Sequence, residues 1–215
     1  MTSSFSTQKT AKKAAKLDIN GFKVLKGFLT RPEQEKIVAE ISSLVRLSPL
    51  FKPTMPGTGK PFSVQMSNLG DYGWVADKTG YRYQKTHPTT GLDWPEIPAS
   101  LQTIWQRVAD YEKPAQACLI NYYDTSAKMG LHRDEDEKDF AAPVVSISLG
   151  DTAVFRMGGA SRKGPTSSLK LESGDVVVIG GPARLYYHGI DRILGGSSSL
   201  LKNGGRLNLT LRRVR

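Results

Sequence analysis

Apolar and polar residues alternate without a break from Arg206 to Arg212, which places Leu207, Leu209 and Leu211 on one face of an extended strand and Arg206, Asn208, Thr210 and Arg212 on the other. Taken alone, the segment reads as a half-buried edge strand whose polar face meets water. Other strand candidates precede it at Ala117–Tyr123, Pro143–Leu149, Thr152–Met157, Ser168–Leu171, Asp175–Ile179 and Arg184–His188. Turn signals divide them at Gly150-Asp151, Gly158-Gly159, Ser173-Gly174, Gly180-Gly181-Pro182 and Asn203-Gly204-Gly205. Many short strands separated by Gly-rich turns predict a sandwich or barrel.

A helical period occupies parts of the N-terminal half. Thr30-Arg31-Pro32-Glu33 has the form of a capped helix start, and Ile37, Ile41, Leu44 and Val45 continue it as an apolar stripe. Leu101, Ile104, Trp105 and Val108 repeat at helical spacing after Ser100, with Trp105 read as core. Between them, Pro53–Pro61 holds too many Pro and Gly residues for a regular element, and Phe62–Tyr83 reads as hairpins around Gly70, Gly73 and Gly80. Gly57-Thr58-Gly59-Lys60 lacks the spacing and the strand-to-helix context of a phosphate loop and is assigned to a mobile substrate loop. The fold class expected is mainly β with flanking helices.

Histidine placement adds chemistry to this scaffold. His132-Arg133-Asp134 puts an imidazole and a carboxylate at i and i+2, on one side of an extended backbone, and His188 follows on a distant segment. Two imidazoles and one carboxylate can occupy one face of a divalent iron and leave the opposite face open. The tripeptide by itself is equally a surface pair near a turn. His87, in Thr86-His87-Pro88-Thr89, is expected to be solvated. Beside an iron site, Arg206 and Arg212 acquire a second reading, because a planar guanidinium fork suits the carboxylates of a dianionic co-substrate.

Together, Asn121-Tyr122-Tyr123, His132-x-Asp134, Asp175-Val176-Val177-Val178 running into Gly180-Gly181, Tyr187-His188-Gly189 and Arg206-x-Asn208-x-Thr210-x-Arg212 resemble the AlkB family of iron- and 2-oxoglutarate-dependent nucleic-acid dealkylases. The ordered set spans roughly residues 61–215. The resemblance implies a double-stranded β-helix, or jelly roll, with Fe(II) held by His132, Asp134 and His188 and with 2-oxoglutarate and dioxygen as co-substrates. It implies that Arg206 pairs with the distal carboxylate of 2-oxoglutarate, that Arg212 helps hold the other carboxylate and Asp134, and that Asn121, Tyr123 and Asn208 complete that pocket. It places Trp74 and Tyr81 in a substrate lid, Asp136 against the exocyclic group of a damaged base, and Arg162 near the substrate strand. The implied activity is oxidative demethylation of bases such as 1-methyladenine and 3-methylcytosine in DNA or RNA, single-stranded or with the base flipped out, releasing formaldehyde, succinate and carbon dioxide. One departure from the family pattern is Ile179, where a bacterial member carries tryptophan; it bears on local packing and base preference, not on the iron ligands.

The organisation expected is a basic, disordered arm over residues 1–16, N-terminal helices and lid over residues 17–115, and a catalytic jelly-roll core over residues 116–215, with 17–215 forming one compact unit. Bland readings stand beside these roles. Asn121 and Tyr123 also suit a buried barrel wall, Trp74 and Tyr81 a small core, Arg162 and Lys163 a general phosphate-attracting surface. Apart from Asp134, the run Asp134-Glu135-Asp136-Glu137-Lys138-Asp139 also reads as solvated surface.

Composition changes this picture only slightly. Thirty Lys plus Arg against twenty Asp plus Glu give a formal charge of +10, which favours polyanionic partners without proving them. The single cysteine, Cys118, excludes an intramolecular disulfide and suits a reducing compartment. No apolar stretch has the length of a membrane span and no secretory h-region is found, so a cytoplasmic monomer is expected. Two competing functions carry the same residues: an iron oxygenase acting on a protein or small molecule, and a noncatalytic nucleic-acid-binding module whose His and Asp residues are structural or hold zinc.

Overall fold

In the computed structural model, which describes residues 15–215, seven strands form the larger sheet in the order β1 (Ala15–Ile19), β2 (Phe22–Lys26), β11 (Val176–Ile179), β8 (Val144–Gly150), β13 (Arg206–Arg212), β6 (Ala117–Tyr123) and β3 (Gln65–Gly70). A four-stranded sheet runs β10 (Ser167–Leu171), β9 (Thr152–Met157), β12 (His188–Leu194) and β7 (Met129–His132), and β4 (Gly73–Asp77) pairs with β5 (Gly80–Gln84) as a separate hairpin. Neighbouring strands are antiparallel throughout. Two helices, α1 (Arg31–Leu47) and α2 (Ala99–Val108), join this frame.

Two apolar clusters explain the layering. On the outer face of the larger sheet, Leu207, Leu209 and Leu211 of β13 pack with Cys118, Ile120, Val145 and Ile147 under Ile37 and Ile41 of α1 and Leu101, Ile104 and Trp105 of α2. Each leucine so buried stabilises the fold by roughly 1.5–3 kcal/mol. On the inner face, Phe22, Val24, Leu119, Val144, Val177 and Ile179 meet Ala153, Phe155, Met157, Ile190 and Ile193 of the smaller sheet. Two facing antiparallel sheets with helices on one outer surface make the jelly roll expected from the strand pattern.

The sequence signals for the helices hold. Glu33 accepts hydrogen bonds from the Thr30 backbone N–H and hydroxyl, each at 2.7 Å, so the first turn of α1 is capped as its sequence predicts. A cap of this kind contributes about 1 kcal/mol. Trp105 is fully buried and donates its indole N–H to Lys113 O at 2.9 Å.

Three expectations are corrected. The final strand is not an edge: β13 lies between β8 and β6, its backbone is paired on both sides, and all seven residues are buried because helices cover one face and the second sheet the other. Arg184–His188 is not a strand, because the 3-10 turn of Gly181–Ala183 runs on into it, with Arg184 N–H bonded to Gly181 O at 3.1 Å and Tyr186 N–H to Ala183 O at 2.9 Å; His188 instead opens β12. His87 is buried, not solvated: its Nε2 bonds Pro49 O at 2.8 Å while Nδ1 accepts from the Thr89 and Thr90 backbone N–H groups. A carbonyl can only accept, so the Nε2 carries the proton and His87 serves as a loop clasp.

The N-terminal half supplies β1, β2 and β3 to the larger sheet. Ala15 and Lys16 pair with Lys26 and Leu25 as part of β1, and the rest of the expected basic arm, residues 1–14, lies outside the described residues. The segment around Gly57-Thr58-Gly59-Lys60 is a tight turn, with Met55 N–H bonded to Lys60 O at 2.9 Å and Gly59 N–H to Met55 O at 2.9 Å. Among the described residues no helix is long and apolar enough to cross a membrane.

Close approach of β12 to β7 depends on a glycine, since a Cβ at Gly189 would sit 2.6 Å from Met129 O. Gly189→Ala is expected to destabilise the fold by about 1–3 kcal/mol through forced separation of these strands. Gly130→Ala, where an added Cβ meets nothing within 4 Å, is the control and leaves the urea midpoint near wild type.

Candidate active site

Antiparallel register brings the histidines together. His188 at the start of β12 is paired directly with His132 at the end of β7, and their ring centroids lie 4.6 Å apart. Past β7 the chain turns inward and buries Asp134, whose Oδ1 is 3.9 Å from His132 Nε2 and whose Oδ2 is 3.9 Å from His188 Nε2. One ligand atom from each of the three residues falls within 4.8 Å of the others.

Backbone carbonyls set the orientation of both rings. His132 Nδ1 bonds Gly130 O at 3.0 Å and His188 Nδ1 bonds Tyr186 O at 3.1 Å. Each Nδ1 must be the donor, so Nε2 is the nitrogen each ring turns to the shared space, the arrangement that metal-bound imidazoles require. Burial pushes the His188 imidazole down to about 4, with nearby His132 acting in the same direction. Burial alone would raise the Asp134 carboxyl, but Arg212, then His188 and His132, outweigh it and hold it well below the usual carboxylate range. Asp134 Oδ2 is buried with no hydrogen-bond partner, whereas Oδ1 accepts from Arg212 Nη2 at 2.7 Å. A charged oxygen left free beside the Nε2 atoms of two imidazoles fits a divalent cation.

A second acceptor-seeking group lies deeper. Arg206 is fully buried, its Nη2 donates to Ser148 Oγ at 2.8 Å, and its Nε and Nη1 have no partner. Burial lowers this guanidinium to about 10, which still leaves it charged at neutral pH. An unpaired buried cation with two free N–H groups fits an anionic ligand, and a carboxylate matches the fork. Tyr123, pushed up to about 12 by burial, remains a neutral hydroxyl near it. Asn121 Nδ2 reaches Asn208 Oδ1 at 3.3 Å, Thr210 Oγ1 donates to the same oxygen at 3.0 Å, and Asn208 Nδ2 donates to Ser146 Oγ at 2.8 Å. Asn121 Oδ1 is buried without a partner.

A cavity of about 730 Å³ joins these groups to the surface. Its lining includes every residue expected from sequence: His132, Asp134 and His188; Asn121, Tyr123, Arg206, Asn208 and Arg212; Trp74, Tyr81, Asp136 and Arg162. Trp74 stacks on Tyr81, which is half exposed, with ring centroids 5.4 Å apart and planes 17° off parallel, and its indole N–H donates to Asp136 Oδ2 at 2.7 Å. Met55, Pro61 and Phe62 bring the turn of residues 55–60 to the rim, and buried Ile179 forms part of the wall.

Sequence reasoning passed over Ser146 and Ser148, which alternate along β8 opposite Thr210 and Asn208 of β13. The run Val144-Val145-Ser146-Ile147-Ser148 carried that signal, since two serines at i and i+2 share a face. It also treated Glu137 as solvated surface, but this carboxylate is buried and paired with Arg184 at 3.0 Å.

A family model described as the 2OG-Fe(II) oxygenase superfamily matches residues 21–212. The alpha-ketoglutarate-dependent dioxygenase AlkB homolog of Caulobacter vibrioides is 51% identical over 197 residues, covering 92% of this chain and 89% of that protein. The alpha-ketoglutarate-dependent dioxygenase AlkB of Escherichia coli is 42% identical over 186 residues, covering 84% of each. The solved structure of OsALKBH1 superposes with a TM-score of 0.75 at 34% identity, over 90% of this chain and 96% of that one.

The neutral, buried His188 has a consequence for acid stability. Its folded value near 4 lies below the ordinary 6.5, so its contribution is present above about pH 6.5 and is lost as pH falls toward 4. Metal-stripped protein is expected to lose up to about 3 kcal/mol from this group across that window, and His188→Gln to flatten the slope of urea-derived stability against pH. An unchanged slope in the variant would assign the acid lability to other groups.

Proposed function

This chain belongs to the AlkB family of Fe(II)- and 2-oxoglutarate-dependent dioxygenases, and from that membership we propose that it removes methyl groups from ring nitrogens of nucleic-acid bases such as 1-methyladenine and 3-methylcytosine in DNA or RNA. The observation that supports this best is a single cavity holding a free carboxylate oxygen between two imidazoles, an unpaired buried guanidinium, and an aromatic pair at its mouth. When bound, iron with 2-oxoglutarate and dioxygen supplies the oxidising power to hydroxylate a methyl group, after which the base sheds formaldehyde.

The residues of this chain then have the following parts. His132, Asp134 and His188 hold the iron, with Arg212 occupying Asp134 Oδ1 so that Oδ2 is the ligand oxygen. Arg206 takes the distal carboxylate of 2-oxoglutarate through its free Nε and Nη1, fixed in place by Ser148. Arg212 also reaches the nearer carboxylate, and Asn121, Tyr123 and Asn208 close the pocket around the co-substrate. Because Watson–Crick-edge methyl groups are hidden in a duplex, the substrate is a single strand or an extruded base, and stacking on Trp74 and His132 offsets part of the unpairing cost. Asp136 accepts from an exocyclic amine of that base, and Arg162 approaches the strand's phosphates.

Residues 17–115 provide the lid, the helices and flanking strands of the larger sheet, and residues 116–215 the remaining strands of one compact catalytic unit. A cytoplasmic monomer completes the reading, in keeping with a single, buried cysteine whose thiol burial pushes up to about 12.

The test is formaldehyde release from a single-stranded 1-methyladenine oligonucleotide, DNA and RNA in parallel, with Fe(II), 2-oxoglutarate and ascorbate. Wild type is expected to release it, Asp134→Ala to release none, and Trp74→Ala to bind the oligonucleotide more weakly by about 1–3 kcal/mol. Metal-dependent consumption of 2-oxoglutarate without formaldehyde from either strand would leave an oxygenase and reject this substrate.

A further inference from the structure

Within the charged run of residues 134–139, Glu137 is drawn into the interior, where it meets three groups from three separate elements. Its Oε2 accepts from Arg184 Nη2 at 3.0 Å, its Oε1 accepts from the Tyr83 hydroxyl of β5, and Arg212 Nε of β13 stands 3.6 Å from Oε1. The guanidinium of Arg184 bonds both ends of the loop that follows the metal carboxylate: Nη1 donates to Asp134 O at 2.6 Å and Nε to Ala142 O at 2.9 Å. Arg212 completes the circuit, with Nη2 on Asp134 Oδ1 at 2.7 Å and Nη1 on the Tyr83 hydroxyl at 3.1 Å. Two carboxylates and two guanidinium groups therefore balance inside the protein, and a buried set of this kind persists only when each charge keeps its partner.

The circuit also reaches the lid. Tyr83 faces Trp74 directly across the β4–β5 hairpin, and directly opposed residues share a face of the ribbon. That one rung therefore grips two consecutive positions past the triad carboxylate, Trp74 holding Asp136 and Tyr83 holding Glu137.

Resting on the assignment of His132, Asp134 and His188 as metal ligands, we propose that Glu137 is a positioning residue, seated by Arg184 and Tyr83, that fixes the metal carboxylate and the substrate hairpin on one buried network and so couples order at the iron to order in the lid. Binding a divalent cation at Asp134 adds positive charge next to Arg212 and Arg184. Glu137 is the buried anion that offsets it, and Tyr83 transmits the tightening to β5.

Two variants separate this role from simple structural support. Mn(II) titration followed by electron paramagnetic resonance, with 2-oxoglutarate present, measures the metal, and amide hydrogen exchange across residues 73–84 measures the hairpin. Neither requires turnover, so failure of the nucleic-acid reading would leave both readouts intact. In wild type, Mn(II) with 2-oxoglutarate is expected to slow exchange in the hairpin. Glu137→Gln, which unbalances the two guanidinium groups that hold Asp134, should weaken Mn(II) about 10-fold, the low end for residues that orient metal ligands, and lose that added protection. Tyr83→Phe removes one hydroxyl; it should hold Mn(II) like wild type while its hairpin no longer responds to the metal. Wild-type Mn(II) affinity in a folded Glu137→Gln protein, or a hairpin in Tyr83→Phe that tightens as in wild type, would overturn the proposal. Should Glu137→Gln fail to fold, the Tyr83→Phe exchange result decides alone.

Discussion

The pairing of Asp134 with Arg212 is the interaction on which the site depends. A carboxylate taken out of water would ordinarily be protonated, and burial does press Asp134 in that direction. The guanidinium at 2.7 Å, joined by two imidazoles, reverses the outcome and keeps an anionic oxygen inside the cavity. Arg212 is itself buried, and burial favours its neutral form, but Asp134, with Tyr83 and Glu137, more than restores its charge. Each ion of the pair is thus tolerable only because of the other, and the metal centre inherits its charge from that mutual dependence.

Register does the remaining placement. The β13 ladder sets Arg206 opposite Gly150 and Tyr123, Asn208 opposite Ser148 and Asn121, and Thr210 opposite Ser146. The polar face of one central strand is therefore met by hydroxyls and an amide on its neighbours at Tyr123, Asn121, Ser148 and Ser146. On the smaller sheet, pairing of His188 with His132 converts two segments 56 residues apart in sequence into adjacent ligands, 188 less 132 giving that separation. A slip of one residue on either strand would turn these side chains to the other face, so the hydrophobic packing behind the sheets protects the chemistry in front of them.

The site divides into a rigid interior and a lighter rim. Arg206, Asn208 and Asp134 are buried and held by side chains of the sheet interior, whereas Trp74 and Tyr81 sit on a two-stranded hairpin and stack on each other at the opening. Small hairpins have little stability of their own, so the rim opens more easily than the interior. It is tied to the core through Asn68, whose side chain bonds the Trp74 backbone N–H and carbonyl, and through the bonds of Trp74 and Tyr83 to the loop after Asp134.

Local pattern by itself determined a good deal. Alternation fixed which residues of Arg206–Arg212 share a face, the Thr30 and Glu33 pair fixed where α1 begins, and the i, i+2 spacing of His132 and Asp134 set both on one side of an extended backbone. These are properties of a few neighbouring residues, and backbone geometry converts them directly into direction. Tertiary structure alone decided what covers each face: β13 became a central strand with a buried polar surface, His87 became a clasp between two rings, and Glu137 left an apparently solvated run to join Arg184 and Arg212. The physical reason is that burial of a polar group depends on partners supplied from elsewhere in the chain, and no period along the chain records who those partners are.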